Sequence, residues 1–468
     1  MADNRTPGPS LQDASRTERA AGRVDPFAIL VGLFLCLALG AGGSSADPVS
    51  AAIARLSGLP VLTWAACRLV RRPIPPGALW PLIIMLAAVL LVAAQLIPLP
   101  PDIWRSLPGR RTVAEGFTAA GLAAPWLTVS LTPQATLYEG LGLIPPAAVF
   151  LAVLTLEAGA RRALAAIVLV MAVASVSLGM MQVSQGPDSP LRLYADTNPE
   201  SAVGFFANRN HQAAFLALTL PLAAFLATRR SAGGGPRAVL WSAVAAGFAL
   251  IVAVGAGVTG SRAGAVLIVL GGLGAAAVAA RVLARSAGSH AAWAPVAALA
   301  VAILAAGGLV AVSGDAVLAG RLQERFGDDL RLELNPAVAR AGLAFAPVGS
   351  GLGSFVDVYP MFESRLTLGP SYVNHAHNDF LEIWLECGVP GIALVVGFLV
   401  WWVGATVSLS RDPRARETPL ALAGSIVVAM LLVHSAVDYP LRTPALATLF
   451  GLACGWLVRG AASPPARP

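Results

Sequence analysis

Asn374-His375-Ala376-His377-Asn378-Asp379-Phe380-Leu381-Glu382-Ile383-Trp384-Leu385-Glu386-Cys387-Gly388-Val389-Pro390-Gly391 gathers two of the chain's five histidines and three carboxylates into a polar island, then passes directly into an apolar run at about 389 to 408. A hydrocarbon core about 30 Å thick takes roughly 17 to 25 helical residues to cross, so the apolar run reads as a membrane span and the island as its approach. The composition extends that reading to the whole chain. Of 468 residues 56% are hydrophobic and 12% charged, and the mean hydropathy is +0.72, values typical of polytopic membrane proteins.

Working outward, twelve stretches are long and apolar enough to span: about 26 to 43, 49 to 69, 79 to 98, 139 to 157, 163 to 183, 211 to 228, 238 to 258, 263 to 281, 291 to 312, 389 to 408, 419 to 437 and 444 to 459. If the N-terminal tail is cytoplasmic, the inner connections hold Arg68/Arg71/Arg72, Arg161/Arg162, Arg229/Arg230/Arg237, Arg281/Arg285 and Arg411/Arg414/Arg416, and the last tail holds Arg459/Arg467. Every inner segment then carries at least two arginines, as the positive-inside rule requires, and both termini are expected in the cytoplasm. The expected organisation is a disordered tail over 1–25, a multi-pass domain over 26–459 and a short tail over 460–468. The expected class is all-α and polytopic, with about twelve transmembrane helices.

Three outer connections are long: about 99–138, 184–210 and 313–388. The first is proline-rich and contains Leu99-Pro100-Pro101-Asp102-Ile103-Trp104, so its tryptophans are expected at the membrane interface. The longest, between spans nine and ten, has helix signals of its own. Asn335 stands as a cap and Pro336 as the first residue of a helix reaching Phe345.

All 32 basic residues are arginine, which excludes lysine chemistry such as Schiff bases. The net charge of +7 and pI near 9.9 come from arginines between apolar runs, a topology signal that implies no nucleic acid. Cys36, Cys67, Cys387 and Cys454 have no paired spacing and suggest neither a disulfide framework nor a metal site.

Within the island, His375/Asp379, Asn378/Glu382 and Glu382/Glu386 fall at i and i+4 if the stretch is helical. That face would carry a base with its orienting acid, since histidine titrates near neutrality; the same residues would also make an ordinary polar helix start. Gly349-Ser350-Gly351-Leu352-Gly353-Ser354-Phe355 reads either as a flexible turn or as backbone N–H groups presented to an anion. Arg209, in Gly204-Phe205-Phe206-Ala207-Asn208-Arg209-Asn210-His211, and Arg262, in Thr259-Gly260-Ser261-Arg262-Ala263-Gly264, sit at outer boundaries where the positive-inside rule gives them no reason to be. They are functional candidates, with snorkelling to headgroups as the plainer reading. His434 and Asp438, one helical turn apart in His434-Ser435-Ala436-Val437-Asp438-Tyr439-Pro440-Leu441-Arg442, read as a buried paired cap.

His377-Asn378, nine intervening residues and then Gly388-Val389-Pro390-Gly391 resembles the His-(Asn/Ser/Gln)-x9-Gly-x-x-Gly signature of the O-antigen ligase and Wzy-type polymerase superfamily. The resemblance extends to residues 204–210, Ser261-Arg262, the 349–355 turn and His434-Ser435…Asp438-Tyr439-Pro440, and covers about 26 to 459. It implies a glycosyltransferase-C-like fold with a large helical periplasmic loop between spans nine and ten, in the bacterial inner membrane. It implies an O-antigen ligase-like enzyme of lipopolysaccharide or surface polysaccharide synthesis, using an undecaprenyl-diphosphate-linked oligo- or polysaccharide donor and a glycan, lipid A-core or protein acceptor hydroxyl. No cofactor and no metal are implied. On the matching positions, His377 stands as the catalytic histidine and Arg262 and Arg209 as diphosphate-binding arginines, with Arg340 placed only by its position in the basic loop. His375, Asn378, Asp379, Glu382, Gly388, Gly391, His434 and Asp438 are the expected supporting residues. A repeat-unit polymerase shares this pattern, and a twelve-span secondary transporter is the alternative from another class. A transporter, however, needs ionisable groups at the bilayer midplane and repeated broken helices, whereas here the ionisable residues cluster at the outer boundary apart from Arg55.

Overall fold

The computed structural model describes residues 25–231, 235–283, 331–364, 372–411 and 418–461. It is helical almost throughout, in the order α1 Pro26–Ala41, α2 Pro48–Val70, α3 Leu79–Gln95, α4 Pro101–Ser106, α5 Arg111–Ala119, α6 Pro133–Gly140, α7 Ile144–Thr155, α8 Ala158–Ser184, α9 Arg209–Ser231, α10 Gly235–Val258, α11 Arg262–Leu283, α12 Arg331–Phe345, α13 Phe355–Val358, α14 Asp379–Arg411, α15 Thr418–Ser435 and α16 Pro444–Ala461. Two short strands, β1 Pro98–Leu99 and β2 Leu127–Thr128, pair antiparallel.

Among the described residues eight helices are long and apolar enough to cross a membrane, counting Pro133–Thr155 as one, and three shorter apolar helices are Pro26–Ala41, Leu79–Gln95 and Pro444–Val458. The protein is therefore a polytopic all-α membrane protein. The span expected at about 291–312, and nearly all of both tails, lie outside the described residues.

Helix starts follow local chemistry. Asp25 accepts from Phe27 N–H (3.0 Å) and Asp47 from Ser50 N–H (2.7 Å), each ahead of a proline whose missing donor costs nothing at that position. Arg68, near the end of α2, donates to Asp25 at 2.8 Å and pins these antiparallel neighbours. At the centre stands α9, enclosed by α8, α10, α11 and α15. In its most apolar window 94% of residues are buried, the mark of a helix surrounded by protein rather than lipid.

The break in α14 positions everything at one end of this bundle. Gly388 has φ 57° and ψ −146° inside the helix, and Pro390 has no N–H to give the Glu386 carbonyl. Val389 N–H turns away to the Pro347 carbonyl (2.8 Å). The two carbonyls left over find donors elsewhere: Leu385 accepts from Ser350 N–H (3.0 Å), and Glu386 from Gly351 N–H (2.9 Å) and the Gln95 side-chain amide (2.9 Å). The turn after α12 is thus laced to α14 through backbone, as buried carbonyls require.

Two local expectations change. The helix expected from Asn335 starts at Arg331, and Asn335 Oδ1 accepts from no described residue, so it caps nothing. Packing decides the start: Leu334, Ala337, Val338, Ala341 and Phe345 form one buried face, and the helix extends upstream to bury Leu334. Trp104 is 1% exposed, and its indole N–H donates to the Thr128 carbonyl at 2.8 Å, so it fills the base of the small hairpin instead of facing the interface. Trp126 is the exposed tryptophan of that connection.

A Cβ on Gly388 would stand 2.2 Å from the Pro347 carbonyl oxygen. With the left-handed penalty added, Gly388→Ala is expected to destabilise by roughly 2 to 4 kcal/mol. Gly397→Ala in the same helix, where a Cβ meets nothing within 4 Å, is expected to be neutral or slightly stabilising; thermal unfolding of both variants in detergent checks the contrast.

Candidate active site

Asn378 begins the site by ending the loop. Its Oδ1 accepts from Phe380 N–H (3.1 Å) and Leu381 N–H (3.2 Å), and its carbonyl accepts from Glu382 N–H (3.0 Å), which starts α14 at Asp379. His377, just before this cap, has φ 49°, unique among the described non-glycine residues. A left-handed residue costs about 1 to 2 kcal/mol and is held by its surroundings.

Asp438 provides that hold. Its Oδ1 lies 3.1 Å from His377 Nδ1, its Oδ2 accepts from Asn210 Nδ2 (2.8 Å), and Oδ1 also takes Tyr439 N–H (3.0 Å). Asn210 Oδ1 in turn accepts from Ser261 Oγ (2.8 Å), whose oxygen takes Gly264 N–H (2.9 Å) at the start of α11. A single polar chain therefore joins the approach to α14, the turn between α15 and α16, α9 and α11. Asp438 is fully buried while His377 keeps 30% of its side chain exposed. Burial alone would lift the Asp438 carboxyl; the hydrogen bond from His377 and the neighbouring imidazoles outweigh it and hold the group ionised, well below the usual carboxylate range. An ionised partner at Nδ1 favours the tautomer whose Nε2 is the free acceptor, the form a general base needs.

His375 is placed differently. Its Nδ1 lies 2.8 Å from Glu382 Oε1 and its Nε2 3.1 Å from Ser45 Oγ, and the ring packs 4.1 Å from that of Tyr439. Both nitrogens are spent, which makes it a positioning group. Burial would lower its pKa, but Glu382 outweighs this and raises it. The expected His375/Asp379 pairing does not form, because α14 starts only at Asp379. Asp379, Glu382 and Glu386 instead share one helix face around the buried Arg442: Nη2 lies 2.8 Å from Glu386 and 3.5 Å from Glu382, and Nε 3.8 Å from Asp379. Ser435 Oγ also donates to Asp379 at 2.7 Å, so the carboxylates bind α14 to the turn carrying Asp438.

His434 and Asp438 are both buried and close together, as expected, but no side-chain hydrogen bond joins them. Asp438 spends its oxygens on His377, Asn210 and Tyr439, and His434 meets it through backbone, its carbonyl accepting from Asp438 N–H at 2.9 Å. The buried ligand atoms of His211, His434 and Asp438 do lie within 4.8 Å of one another. Their donor types suit zinc, yet ligands about 2.1 Å from a tetrahedral ion sit roughly 3.4 Å apart, so the group would have to close up to hold one.

Arg209 opens α9 and Arg262 opens α11, each adjacent in sequence to a member of the polar chain, Asn210 or Ser261. Arg209 is half-buried and Arg262 exposed. A Cβ on Gly260 would lie 4.0 Å from Arg209 Nη1, which sets that guanidinium against the turn leading into Arg262. Arg340 is exposed on α12, next to Ala339, whose carbonyl accepts the Trp384 indole N–H at 3.4 Å; it makes no hydrogen bond or ion pair with a described residue. The 349–355 turn spends its N–H groups within the protein: those of Gly349, Ser350, Gly351 and Leu352 go to Phe345, Leu385, Glu386 and Gln95, while those of Gly353 and Phe355 meet an anion of the chain itself, the Glu386 carboxylate (3.3 Å from Phe355). Gly388 and Gly391 serve the break in α14, a Cβ on Gly391 falling 2.4 Å from Cys387 Cβ.

Sequence reasoning missed Asn210, Tyr439 and Arg442 as parts of the site, although all three stand in stretches singled out for their neighbours. The usable signal for Arg442 was spacing: acids at 379, 382 and 386 fall on one helical face and call for a buried cation. Beyond Arg442 and Asp379 a cavity of about 350 Å3 has Arg55 and Glu139 at the same polar end and apolar walls from α3, α7, α14 and α16.

Because the folded His375 pKa is raised, its pairing with Glu382 contributes stability in full below the unfolded value of about 6.5 and loses it as pH rises through the folded value. The melting temperature of the native protein is expected to fall across that window and that of His375→Gln to stay flat; parallel curves would show that another group titrates. No curated protein matches the chain. Residues 247–396 match the Wzy_C family model, described as O-antigen ligase, and that stretch, which runs from α10 through Arg262, Arg340 and His377 past the break in α14, is what the chain shares with the family.

Proposed function

We propose that the protein is a membrane glycosyltransferase that moves an undecaprenyl-diphosphate-linked glycan onto an acceptor hydroxyl at the periplasmic face of the bacterial inner membrane, in lipopolysaccharide or surface polysaccharide synthesis. The observation that carries this reading is the His377–Asp438 pair, with its buried carboxylate on Nδ1 at 3.1 Å and a partly exposed imidazole. In the topology proposed with it, residues 291–312 supply a twelfth span and both termini lie in the cytoplasm.

His377 Nε2 takes the proton of the acceptor hydroxyl as its oxygen bonds to the anomeric carbon of the donor. The bond from that carbon to the diphosphate oxygen breaks, and its electron pair leaves with undecaprenyl diphosphate. Asp438 stabilises the imidazolium, while Arg209 and Arg262 neutralise charge gathering on the diphosphate. The imidazolium then returns its proton to the departing diphosphate or to water. The activated donor supplies the free energy, and the apolar cavity beside Arg442 gives room for an isoprenoid or acyl chain.

Purified protein with lipid-diphosphate-linked glycan and candidate acceptors is the direct test. His377→Ala is expected to slow transfer roughly 100- to 10,000-fold, and Asp438→Asn to fall in the same range with donor KM little changed, because the amide no longer fixes the tautomer. Full transfer by a well-inserted His377→Ala protein would sink the assignment. In a deletion strain, finished chains stranded on the carrier lipid indicate a ligase, whereas loss of long chains indicates a polymerase.

Transfer is also expected to survive EDTA. Loss of activity that zinc restores would place an ion among His211, His434 and Asp438 and overturn the metal-independent mechanism.

A further inference from the structure

At the opposite end of α9 from Asn210 lies a second cavity, of about 630 Å3, between α8, α9 and α10. With 23 residues at 1.5 Å each, α9 carries its two ends about 34 Å apart, so this cavity and His377 sit at opposite faces of the bundle. Alanines make the space: Ala163 and Ala166 on α8, Ala223 and Ala227 on α9 and Ala245 on α10 line it where larger side chains would close the helices together. Apart from three arginines its described walls are apolar.

The cations are concentrated at one end. Arg162, Arg229 and Arg230 line the cavity and, among the described residues, no carboxylate does. Arg162 makes no hydrogen bond or ion pair with a described residue, and Arg230 stacks over the Trp241 ring at 4.3 Å without one. Three guanidiniums above an apolar slot, with a tryptophan at headgroup level, complement an anion that carries hydrocarbon chains. The proposed glycan transfer uses none of these residues.

We propose that this cavity binds one anionic phospholipid, its phosphate held by Arg162 and Arg230 and its acyl chains laid along the alanine-lined slot. Arginine bonds phosphate oxygens in a planar fork, and the chains replace contacts that the alanines leave unfilled. Zwitterionic lipids, whose headgroups bring their own cation, bind more weakly.

Native mass spectrometry of the full-length protein with phosphatidylglycerol or phosphatidylcholine of identical chains tests this. One phosphatidylglycerol is expected to stay bound preferentially, and Arg162→Ala/Arg230→Ala to weaken its retention roughly thirtyfold. Ala166→Trp fills the slot without touching charge and is expected to displace the lipid as well, while Arg71→Ala, an exposed arginine outside the cavity, leaves it bound. Equal retention of the two lipids, or wild-type retention in both the double variant and Ala166→Trp, overturns the proposal.

Discussion

Two backbone carbonyls without helical donors hold this site together. Where α14 breaks at Gly388, the oxygens of Leu385 and Glu386 would be buried and unsatisfied had the 349–351 turn and Gln95 not supplied N–H groups. An unmet buried carbonyl costs about 1 to 3 kcal/mol, so break and turn stand or fall together. The turn also accepts from the 99–138 connection, through Leu131 N–H on Ser350 (2.9 Å) and Arg110 on Gly349 (2.9 Å). One backbone seam thereby joins α3, α12, α14 and two long connections, and His377 is presented from its edge.

Charge is organised in two compartments beside that seam. Arg442 gathers three carboxylates of α14 and fixes the turn after α15, which positions Asp438; Asp438 then addresses His377 from outside α14. The division separates the Arg442 ion-pair cluster from the His377–Asp438 pair of the candidate site. Arg442 is satisfied inward, whereas Arg209 and Arg262 stand at helix starts around the open side. His375 completes the separation, since both its nitrogens are held and its ring backs Tyr439.

Much of this was legible in the residues, and the failures share a physical cause. Apolar run length revealed the spanning helices because burial in lipid is a local property of sequence. His377 was singled out by its spacing to Gly388 and Gly391, whereas Asn378 was placed inside a helix that it in fact caps. Asp438 as the partner of His377 was not, as the two are 61 residues apart and meet only once α14 and α15 pack. The i,i+4 reading paired His375 with Asp379 because it assumed a helix through both, and the backbone turns at His377 instead. Asn335 followed cap chemistry faithfully, yet burial of Leu334 outweighed it.

The enclosure of α9 has a consequence for how the molecule is made. Its first turn carries Arg209, Asn210, His211 and Gln212, and Pro221 lies midway, a poor segment to leave alone in lipid. Its shelter comes on both sides in time: α8 before it, then α10, α11 and finally α15. Until the last of these is synthesised, Asn210 has neither its lipid shield nor Asp438. Burial of Asn210 within the bundle and assembly of the candidate site are then one event, which waits for α15 and the turn that carries Asp438.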